Sequence, residues 1–473
     1  MERQTAVADL AGRLDLRQEL ELLGRLQPDR RPDPDAFLAW AEGDRWLAYR
    51  PVLIWVSRLS PLLLVLGVAA QLSGIALLPF WLPPLVVNIV LSQTVGRRVY
   101  RLVTHVAGQR GALDSYAGQL QLLASAPVAA PSLRRLLDRL HVEGATADRY
   151  LASLHRVANL TIPASSIVYG LIQAAILWDF HLLAAMEFWQ RSAGSHVRRW
   201  LTVLAEVEAI AALATLAHDN PGWAFPHLDP AADRIAAEQL GHPLIAAASR
   251  VGNDVALGPP GTFLLVTGSN MSGKSTLLRS IGINAVLAEA GAPVCAKSLT
   301  LPPVTVRTSM TVHDSLERGV SYFMAELQRL KGVVDSARSL ADRHDRRLLY
   351  LLDEILQGTN TAERQIAARR IVRHLVDTGA IGAISTHDLH LADTPTIAAI
   401  ARPIHFSETV STGPGPAMTF DYTARPGIAT STNALRLMEL IGLDLPALDE
   451  ADSPDTAQSV GMQALSSERF VAE

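Results

Sequence analysis

The stretch "LLVTGSNMSGKSTLLRS", residues 264–280, places glycines, a lysine and hydroxyl side chains directly after an apolar run. The run "TFLLVT", residues 262–267, is typical of a buried parallel strand, and "TLLRSIGINAVLAEA" farther along is typical of a helix. Residues 268–275 between them have the spacing of a phosphate-binding loop. Strand, loop and helix therefore come in the order that a nucleotide-binding site requires.

Each residue type in this loop has a chemical role. Gly268 and Gly273 let the backbone curl so that its amide N–H groups and the helix amino terminus face phosphate oxygens. Lys274 neutralises the outer phosphates, and Ser275 can ligate magnesium. A glycine-rich turn with a chance lysine is the alternative, which the strand–loop–helix order argues against. The predicted phosphate contacts are Gly268, Ser269, Asn270, Met271, Ser272, Gly273, Lys274, Ser275 and Thr276.

A second strand supplies carboxylates. In "RRLLYLLDEI" the apolar residues 348–352 are followed by Asp353 and Glu354. Asp353 is positioned to hold magnesium, directly or through water, and Glu354 could accept a proton from the attacking water. An isolated Asp-Glu pair is more often a solvated strand end, but beside a phosphate loop it indicates hydrolysis.

A third strand, "GAIGAIST", leads to His387. A histidine that directly follows an apolar strand could reach the terminal phosphate as a polar sensor. A structural histidine at a strand end is the equally weighted alternative. These three strands predict an α/β P-loop NTPase domain.

Composition limits the other chemistries. Hydrophobic residues make up 49% of the 473 residues and charged residues only 19%, so the chain is more apolar than a typical soluble enzyme. The single cysteine, Cys295, excludes an internal disulfide and a multi-thiolate metal site, which fits a reducing compartment. The net charge of −4 gives no overall attraction to nucleic acid, so DNA binding would need a local basic patch.

Part of the apolar excess lies in a predicted transmembrane hairpin. Residues 59–80 carry no charge over 22 residues, which is enough to cross about 30 Å of hydrocarbon, and residues 85–95 form a shorter second run. Prolines and a tryptophan lie between the runs, and the positive-inside rule places both arginine-rich flanks in the cytoplasm. A buried helical pair in a soluble core is the alternative. The flanking arginines are Arg45, Arg50, Arg58, Arg97, Arg98 and Arg101.

The segment "SSIVYGLIQAAILWDFHLLAAMEFW" is predicted to be one long amphipathic core helix, because acidic residues and a histidine recur within it. Turn-forming residues near position 225 mark a boundary between helical and mixed sequence. The predicted divisions are an amino-terminal helical arm (1–50), the hairpin (51–99, with membrane contact through 52–95), a helical lever-like domain (100–225), the ATPase domain (226–450) and a disordered tail (451–473).

Four segments together resemble the MutS family of ATPases: "TGSNMSGKSTLLRSIG", "DSLERGVSYFMAELQRLK", "LLDEILQGTNTAER" and "ISTHDLHLA". The resemblance implies ATP and Mg²⁺ as cofactors and a homodimer with composite sites, in which Ser321 reaches the nucleotide of the opposite subunit. It also implies that Asn270 and His387 contact the γ-phosphate. Glu354, His387 and Ser321 are thus the predicted catalytic residues, and Ser275 and Asp353 the predicted metal ligands.

The sequence departs from the family in three ways. The family's "DEIGRGTST" reads "DEILQGTNT" here, and Arg250 in "SRVGND" lies where the family has an aromatic residue that stacks on adenine. We find no mismatch-reading domain and no Phe-x-Glu wedge. The chain therefore resembles a truncated, membrane-associated relative.

Three functions follow as alternatives. The first is a dimeric ATPase switch coupled to DNA, with short arginine clusters such as "RRVYRL" as candidate phosphate contacts. The second is a membrane-tethered switch that acts on a protein partner without DNA. The third, a transporter motor, is disfavoured because the LSGGQ sequence is absent. The expected location is the cytoplasmic membrane with the ATPase domain in the cytoplasm, or the cytoplasm itself if the hairpin is soluble.

Overall fold

The chain was analysed as a computed structural model that describes residues 2–25, 34–108, 110–142, 144–269, 271–310, 322–343, 345–356, 361–387, 394–410 and 418–428. Its internal contacts divide it into two compact units. The first contains residues 1–225 and 290–293, and the second contains residues 226–289 and 294–473. The predicted tail, residues 451–473, lies outside the described residues.

The first unit is helical, with one two-residue hairpin. Its elements are α1 (Glu2–Ala11), α2 (Leu14–Arg25), α3 (Pro34–Ala41), α4 (Pro51–Leu72), α5 (Leu82–Thr94), α6 (Gly96–Ala107), α7 (Arg110–Ala124), α8 (Pro131–Asp138), β1 (His141–Val142), β2 (Ala145–Thr146), α9 (Ala147–Asn159), α10 (Ile167–Ile176) and α11 (Trp178–Asp219).

Helix α11 organises the core of this unit. It is 42 residues long and packs against α1, α3, α6 and α9. Trp200 on this helix is 1% exposed, and the buried carboxylate of Glu187 accepts hydrogen bonds from the backbone N–H groups of Leu47 (2.6 Å) and Ala48 (2.7 Å). Burial raises the pKa of Glu187, and these two backbone donors oppose that shift. Glu187 is therefore a core residue, held by the chain that leads into α4.

The predicted apolar hairpin is present as a helical pair, with different bounds. The first helix, α4, begins at Pro51 and ends at Leu72, so the predicted run 59–80 contains both helix and turn. Gly74 (φ 73°) follows the helix end, and the prolines of "LPPL" begin α5. Among the described residues, two helices are long and apolar enough to cross a membrane by length and composition, namely α4 and α11.

The prediction of one amphipathic helix over "SSIVYGLIQAAILWDFHLLAAMEFW" is wrong. The segment forms two helices, α10 and α11, which are separated at Leu177. Leu177 is fully buried and has a left-handed backbone (φ 51°), which ends α10. The apolar periodicity continues across this break, which explains why the sequence pattern did not reveal it.

Among the described residues, the second unit contains three sheets and their flanking helices. Its elements are β3 (His227–Leu228), β4 (Ile235–Leu240), β5 (Asn253–Leu257), β6 (Phe263–Thr267), α12 (Lys274–Ala290), β7 (Ser298–Leu301), β8 (Val304–Ser309), α13 (Tyr322–Leu340), β9 (Arg347–Asp353), α14 (Thr361–Asp377), β10 (Ile381–Ser385), α15 (Pro395–Ala398), β11 (Ala401–His405), β12 (Glu408–Val410), β13 (Met418–Phe420) and β14 (Arg425–Pro426).

The largest sheet among the described residues has the order β14-β11-β6-β10-β9-β8. Strands β8, β9, β10, β6 and β11 are parallel, and β14 pairs antiparallel to β11. A four-stranded sheet has the order β3-β7-β4-β5, and β12 pairs antiparallel with β13 in a two-stranded sheet. Every residue of β6 and β10 is buried, as expected for strands covered on both faces. The carboxyl ends of β6, β9 and β10 therefore meet at one edge of the sheet.

Candidate functional site

The predicted phosphate-binding loop connects β6 to α12. Gly268 (φ 140°) and Gly273 (φ 113°) have backbone angles that favour glycine. A Cβ atom on Gly268 would lie 2.8 Å from the carbonyl oxygen of Phe406, so the space there also requires glycine. Met271 (φ 67°) presents a side chain that is 85% exposed. The glycines thus shape a loop whose tip faces outward.

Lys274 begins α12 and is 4% exposed. Its Nζ donates hydrogen bonds to the carbonyl oxygens of Gly268 (2.9 Å) and Ser269 (2.8 Å), and lies 3.7 Å from Oε1 of Glu354. Burial lowers the pKa of Lys274, while the carboxylates of Glu354 and Asp353 oppose that shift. The ammonium group is thereby held inside the loop, beside the carboxylates of β9.

Ser275 and Asp353 lie together although they are far apart in sequence. The Ser275 hydroxyl donates to Oδ1 of Asp353 at 3.0 Å, and the Ser385 hydroxyl donates to the same oxygen. The parallel register aligns Ser385 with Asp353 across β10 and β9. Ser385 was not predicted as a site residue, although its place at the end of an apolar strand was visible in the sequence.

Glu354 lies between two basic side chains. Its Oε1 is 3.7 Å from Nζ of Lys274, and its Oε2 is 3.7 Å from Nδ1 of His387. Glu354 has a left-handed backbone (φ 48°), and its N–H donates to the carbonyl of Ser385 at 3.1 Å. The His387 side chain is 52% exposed. The three strand ends thus bring Lys274, Glu354 and His387 into one cluster.

Two predicted site residues, Asn270 and Ser321, lie outside the described residues. Their assigned contacts with the γ-phosphate and with the opposite subunit remain predictions. Of the remaining loop positions, Ser269 donates to Glu408 Oε2 at 2.9 Å, and Thr276 lines the cavity described below.

The turn after Asp353 is held by a residue that sequence reasoning missed. Glu326 on α13 is 2% exposed, and its Oε1 accepts a hydrogen bond from the backbone N–H of Leu356. Leu356 is fully buried and, like Glu354, has a left-handed backbone (φ 63°). Burial raises the pKa of Glu326, and the Leu356 N–H opposes this. The signal available in the sequence was an acidic residue within the otherwise apolar segment "YFMAEL".

A cavity of about 370 Å³ lies next to the phosphate loop. This volume is within the range of small-molecule sites, about 300–1,000 Å³. Gly273 and Thr276 border the cavity on the loop side, and Tyr422 contributes an aromatic ring. The other lining residues are Leu240, His242, Ile245, Ser249, Val251, Asn253, Met271, Leu277, Ser280 and Phe406.

Tyr422 is fixed by Asn253. The Asn253 side chain donates to the carbonyl of Tyr422 (3.0 Å) and accepts from the N–H of Ala424 (2.7 Å), and the Tyr422 ring stacks on Phe420 at 5.9 Å. Arg250, which occupies the position expected for an aromatic residue, instead donates through Nε and Nη2 to the carbonyl of Ile245 (3.0 and 2.6 Å). An aromatic ring thus borders the cavity from a distant part of the chain.

The residues fit a magnesium nucleotide. Magnesium binds one or two protein oxygens together with phosphates and water, and Ser275 and Asp353 supply such a pair. The hydroxyl of Ser272 is buried and has no hydrogen-bond partner among the residues that the structure describes. A phosphate oxygen in the loop would give this hydroxyl an acceptor. Within the described ranges, no group of three acidic, histidine or cysteine side chains could hold a metal ion without such a ligand.

Comparison with known proteins finds similarity in the part of the chain that contains the phosphate-binding loop and strands β9 and β10. A family model for MutS domain V, a P-loop ATPase-type domain, matches residues 264–457. The DNA mismatch repair protein MutS of Natronomonas pharaonis is 31% identical over 265 residues, which cover 55% of this chain and 29% of that protein. The DNA mismatch repair protein MutS 2 of Halobacterium salinarum is 29% identical over 289 residues, which cover 59% and 32%. The chain thus spans about a third of the length of these curated relatives. Residues 264–457 of this chain therefore match the MutS family through its domain V.

Proposed function

We propose that this chain binds ATP with magnesium and hydrolyses it. The observation that carries the proposal is the convergence of Lys274, Ser275, Asp353 and Glu354 at the carboxyl edge of the parallel sheet. Ligand sites of open α/β sheets lie at this edge. The matched domain is of the ATPase type, and the side chains predicted to hold phosphate, ligate magnesium and act as the base lie close together, which supports the proposal.

The site residues divide the reaction among them. Magnesium held by Ser275 and Asp353 would neutralise charge on the outer phosphates. Lys274 exchanges its loop carbonyl partners for phosphate oxygens, and Glu354 accepts the proton of the attacking water. His387, half-exposed and beside Glu354, donates to the γ-phosphate. Tyr422 stacks on the base in the adjacent cavity, in place of the aromatic residue that Arg250 replaces.

Two substitutions separate binding from hydrolysis. Lys274→Ala removes the charge that holds the outer phosphates and should abolish tight ATP binding. Glu354→Gln keeps the side-chain shape, loses the proton acceptor and should leave ATP bound but not hydrolysed. Asp377→Asn, an exposed substitution on α14, is the control. Undiminished hydrolysis by Glu354→Gln would refute Glu354 as the base.

The relatives are named as DNA mismatch repair proteins, which supports a dimeric ATPase coupled to DNA as the first form of this function. The active form would then be a homodimer with composite sites, to which Ser321 contributes. DNA binding would depend on phosphate contacts and should weaken steeply as salt rises. A filter-binding assay with duplex and mismatched DNA at low and high salt tests this; no retention at low salt would refute DNA binding.

The second candidate is a membrane-tethered switch on a protein partner, and the apolar surface of α4 and α5 favours it. Val52 is 71% exposed, Leu63 55% and Leu72 84%, although all three are large hydrophobic residues. Monomeric soluble proteins rarely expose so continuous an apolar surface. The location proposed is the cytoplasmic membrane, with the ATPase domain in the cytoplasm. Flotation of the purified chain with lipid vesicles in low and high salt tests this, and a chain that stays in the dense fraction would refute it.

A further inference from the structure

The short helix α10 joins the exposed apolar hairpin. It is ten residues long, about 15 Å, and contains no charged residue. It packs against α5 and α4 in the first unit. Its outward side chains are as exposed as those of the hairpin: Ile167 is 92% exposed, Val168 51% and Leu171 70%. The apolar surface therefore belongs to three helices rather than two, and we call this group the three-helix anchor (α4, α5 and α10).

A buried amide holds α10 within this group. Asn88 of α5 is fully buried, and its Nδ2 donates to the carbonyl oxygens of Ala174 (2.9 Å) and Ala175 (3.2 Å). These carbonyls belong to the last turn of α10, where a helix has no backbone partners of its own. On a water-exposed surface, solvent can satisfy such groups, whereas in hydrocarbon a protein donor must do so. The contact therefore suits a non-aqueous surrounding.

The opposite end of α10 contacts an aromatic residue of α6. Tyr169 makes an edge-to-face contact with Tyr100 of α6 (5.4 Å between ring centroids), and the Tyr100 hydroxyl accepts from the N–H of Ala164 (3.0 Å). Arg98, two residues before Tyr100 on α6, lies over the Trp46 ring at 5.1 Å, and Arg50 lies over the same ring at 4.3 Å. Tyrosine, tryptophan and arginine are the residues that favour the headgroup region and its anionic lipids.

We propose that α10 is a re-entrant helix, which enters the lipid bilayer beside the α4–α5 hairpin and returns at Leu177. At about 15 Å it is too short to cross a hydrocarbon core of about 30 Å. Asn88, which holds the last turn of α10, precedes the end of α5 at Thr94 by six residues, or about 9 Å along that helix, and the arginines follow on α6. The left-handed residue Leu177 then turns the chain into α11, in which Asp179 and Glu187 are buried.

Lipid fits this surface better than a second copy of the chain does. The exposed apolar positions between Leu62 and Val68 cover an arc of about 220° around α4 at 100° per residue. A flat protein interface covers one side of a helix, whereas a bilayer surrounds it. The arginines at one end add the charge complementarity expected for anionic headgroups. The inference rests on the proposed membrane tether and adds to it α10, a segment outside the apolar hairpin of α4 and α5.

Site-directed spin labelling tests the inference on the full-length chain. Cys295→Ala removes the single native thiol, and Leu171→Cys (α10), Leu63→Cys (α4) and Gln121→Cys (exposed on α7) are then labelled separately. Each protein is reconstituted in vesicles of neutral and anionic phospholipids. Labels in hydrocarbon should be relaxed more by oxygen than by a water-soluble nickel chelate. We expect stronger relaxation by oxygen at positions 63 and 171, and stronger relaxation by the nickel chelate at position 121.

The outcomes distinguish the two proposals. If position 63 behaves as lipid-exposed and position 171 resembles position 121, the tether stands and the re-entrant helix is refuted. If positions 63 and 171 both resemble position 121, the tether is refuted and the re-entrant helix with it. Labels shielded from both reagents, with spin–spin broadening, would show that a second copy covers the surface, which also refutes the inference.

A final variant tests the role of the buried amide. Asn88→Leu keeps the apolar character of α5 but removes the donor to Ala174 and Ala175. We expect the oxygen accessibility of the label at position 171 to fall at least twofold, with no change at position 63. Equal accessibility at position 171 with and without the amide would refute the attachment through Asn88.

Discussion

The buried carboxylate of Glu326 provides a demanding test of the proposed hydrolysis, because it accepts a hydrogen bond from the backbone of the turn that carries Glu354, the proposed base. Its Oε1 accepts the N–H of Leu356, two residues after Glu354. Both Glu354 and Leu356 have left-handed backbones, so the turn depends on external hydrogen bonds to keep its shape. Glu326→Ala should therefore displace the carboxylate of Glu354 without touching the phosphate loop.

The size of the effect follows from the buried donor. A buried N–H that loses its acceptor costs about 1–3 kcal/mol. If the turn relieves this cost by moving Glu354 out of reach of the attacking water, hydrolysis falls about 5- to 150-fold. ATP affinity should change less than twofold, because Lys274, Ser275 and Asp353 keep their contacts. Glu326→Gln retains an oxygen acceptor for Leu356 and should stay within about twofold of the natural chain in both quantities.

The assay is steady-state ATP hydrolysis together with equilibrium ATP binding, and a thermal melt confirms that each variant folds. Asp335→Asn is the matched control, because it removes a carboxylate from the same helix, where the side chain is 46% exposed. Undiminished hydrolysis by Glu326→Ala would refute the positioning role. If Glu326→Gln is as impaired as Glu326→Ala, the negative charge rather than the hydrogen bond is what matters, and the reasoning above is wrong.

Three further predictions concern base stacking, the pH dependence of stability and the sharing of sites between subunits. Tyr422→Ala should weaken ATP binding about 5- to 150-fold, because stacking on the base contributes about 1–3 kcal/mol. Tripolyphosphate has no base and should bind to the variant as it does to the natural chain. Equal weakening of both ligands in calorimetry would refute the stacking. Burial raises the pKa of Glu326 above its ordinary 4.5, so above pH 4.5 the folded chain keeps a proton that the unfolded chain releases, and the stability of the fold falls as pH rises. Glu326→Gln cannot titrate, so its melting temperature should fall less over this range than that of the natural chain. Parallel melting-temperature curves for the two proteins would contradict this. Ser321→Ala and Lys274→Ala chains, each nearly inactive alone, should recover activity when mixed if the sites are shared between subunits; subunit exchange shown with tagged chains, without recovery, would count against shared sites.

The central strands of the second unit were predictable from sequence because their residues are buried on both faces. Continuous apolar runs at 262–267 and 348–352 correspond to β6 and β9, and "GAIGAIST" corresponds to β10. The polar residues at the strand ends followed directly, because parallel strands bring their carboxyl ends to one edge. Their partners were harder to predict. That Ser385 donates to Asp353 depends on the β9–β10 register, and sequence alone does not determine which strands are neighbours.

The aromatic side of the cavity could not be located for a related reason. In "SRVGND", Arg250 lies where an aromatic residue was expected, so the sequence did not indicate which residue would bind the adenine base. The chain brings Tyr422 to the cavity from 169 positions beyond Asn253, through the hydrogen bond between them. The break at Leu177 was missed because α10 and α11 share an apolar pattern, and the left-handed residue between them is a leucine rather than glycine or asparagine.

The same kind of exception marks the turn after Asp353. Local propensity does not predict a glutamate and a leucine with left-handed backbones, since each such residue costs about 1–3 kcal/mol. The turn persists because two separate parts of the fold hold it: the carbonyl of Ser385 accepts the N–H of Glu354, and the carboxylate of Glu326 accepts the N–H of Leu356. A strained turn that is held from both sides fixes the direction of the Glu354 carboxylate before any nucleotide binds. The position where residue preferences fail is thus the position where the proposed chemistry needs a fixed base, as expected when backbone strain serves function.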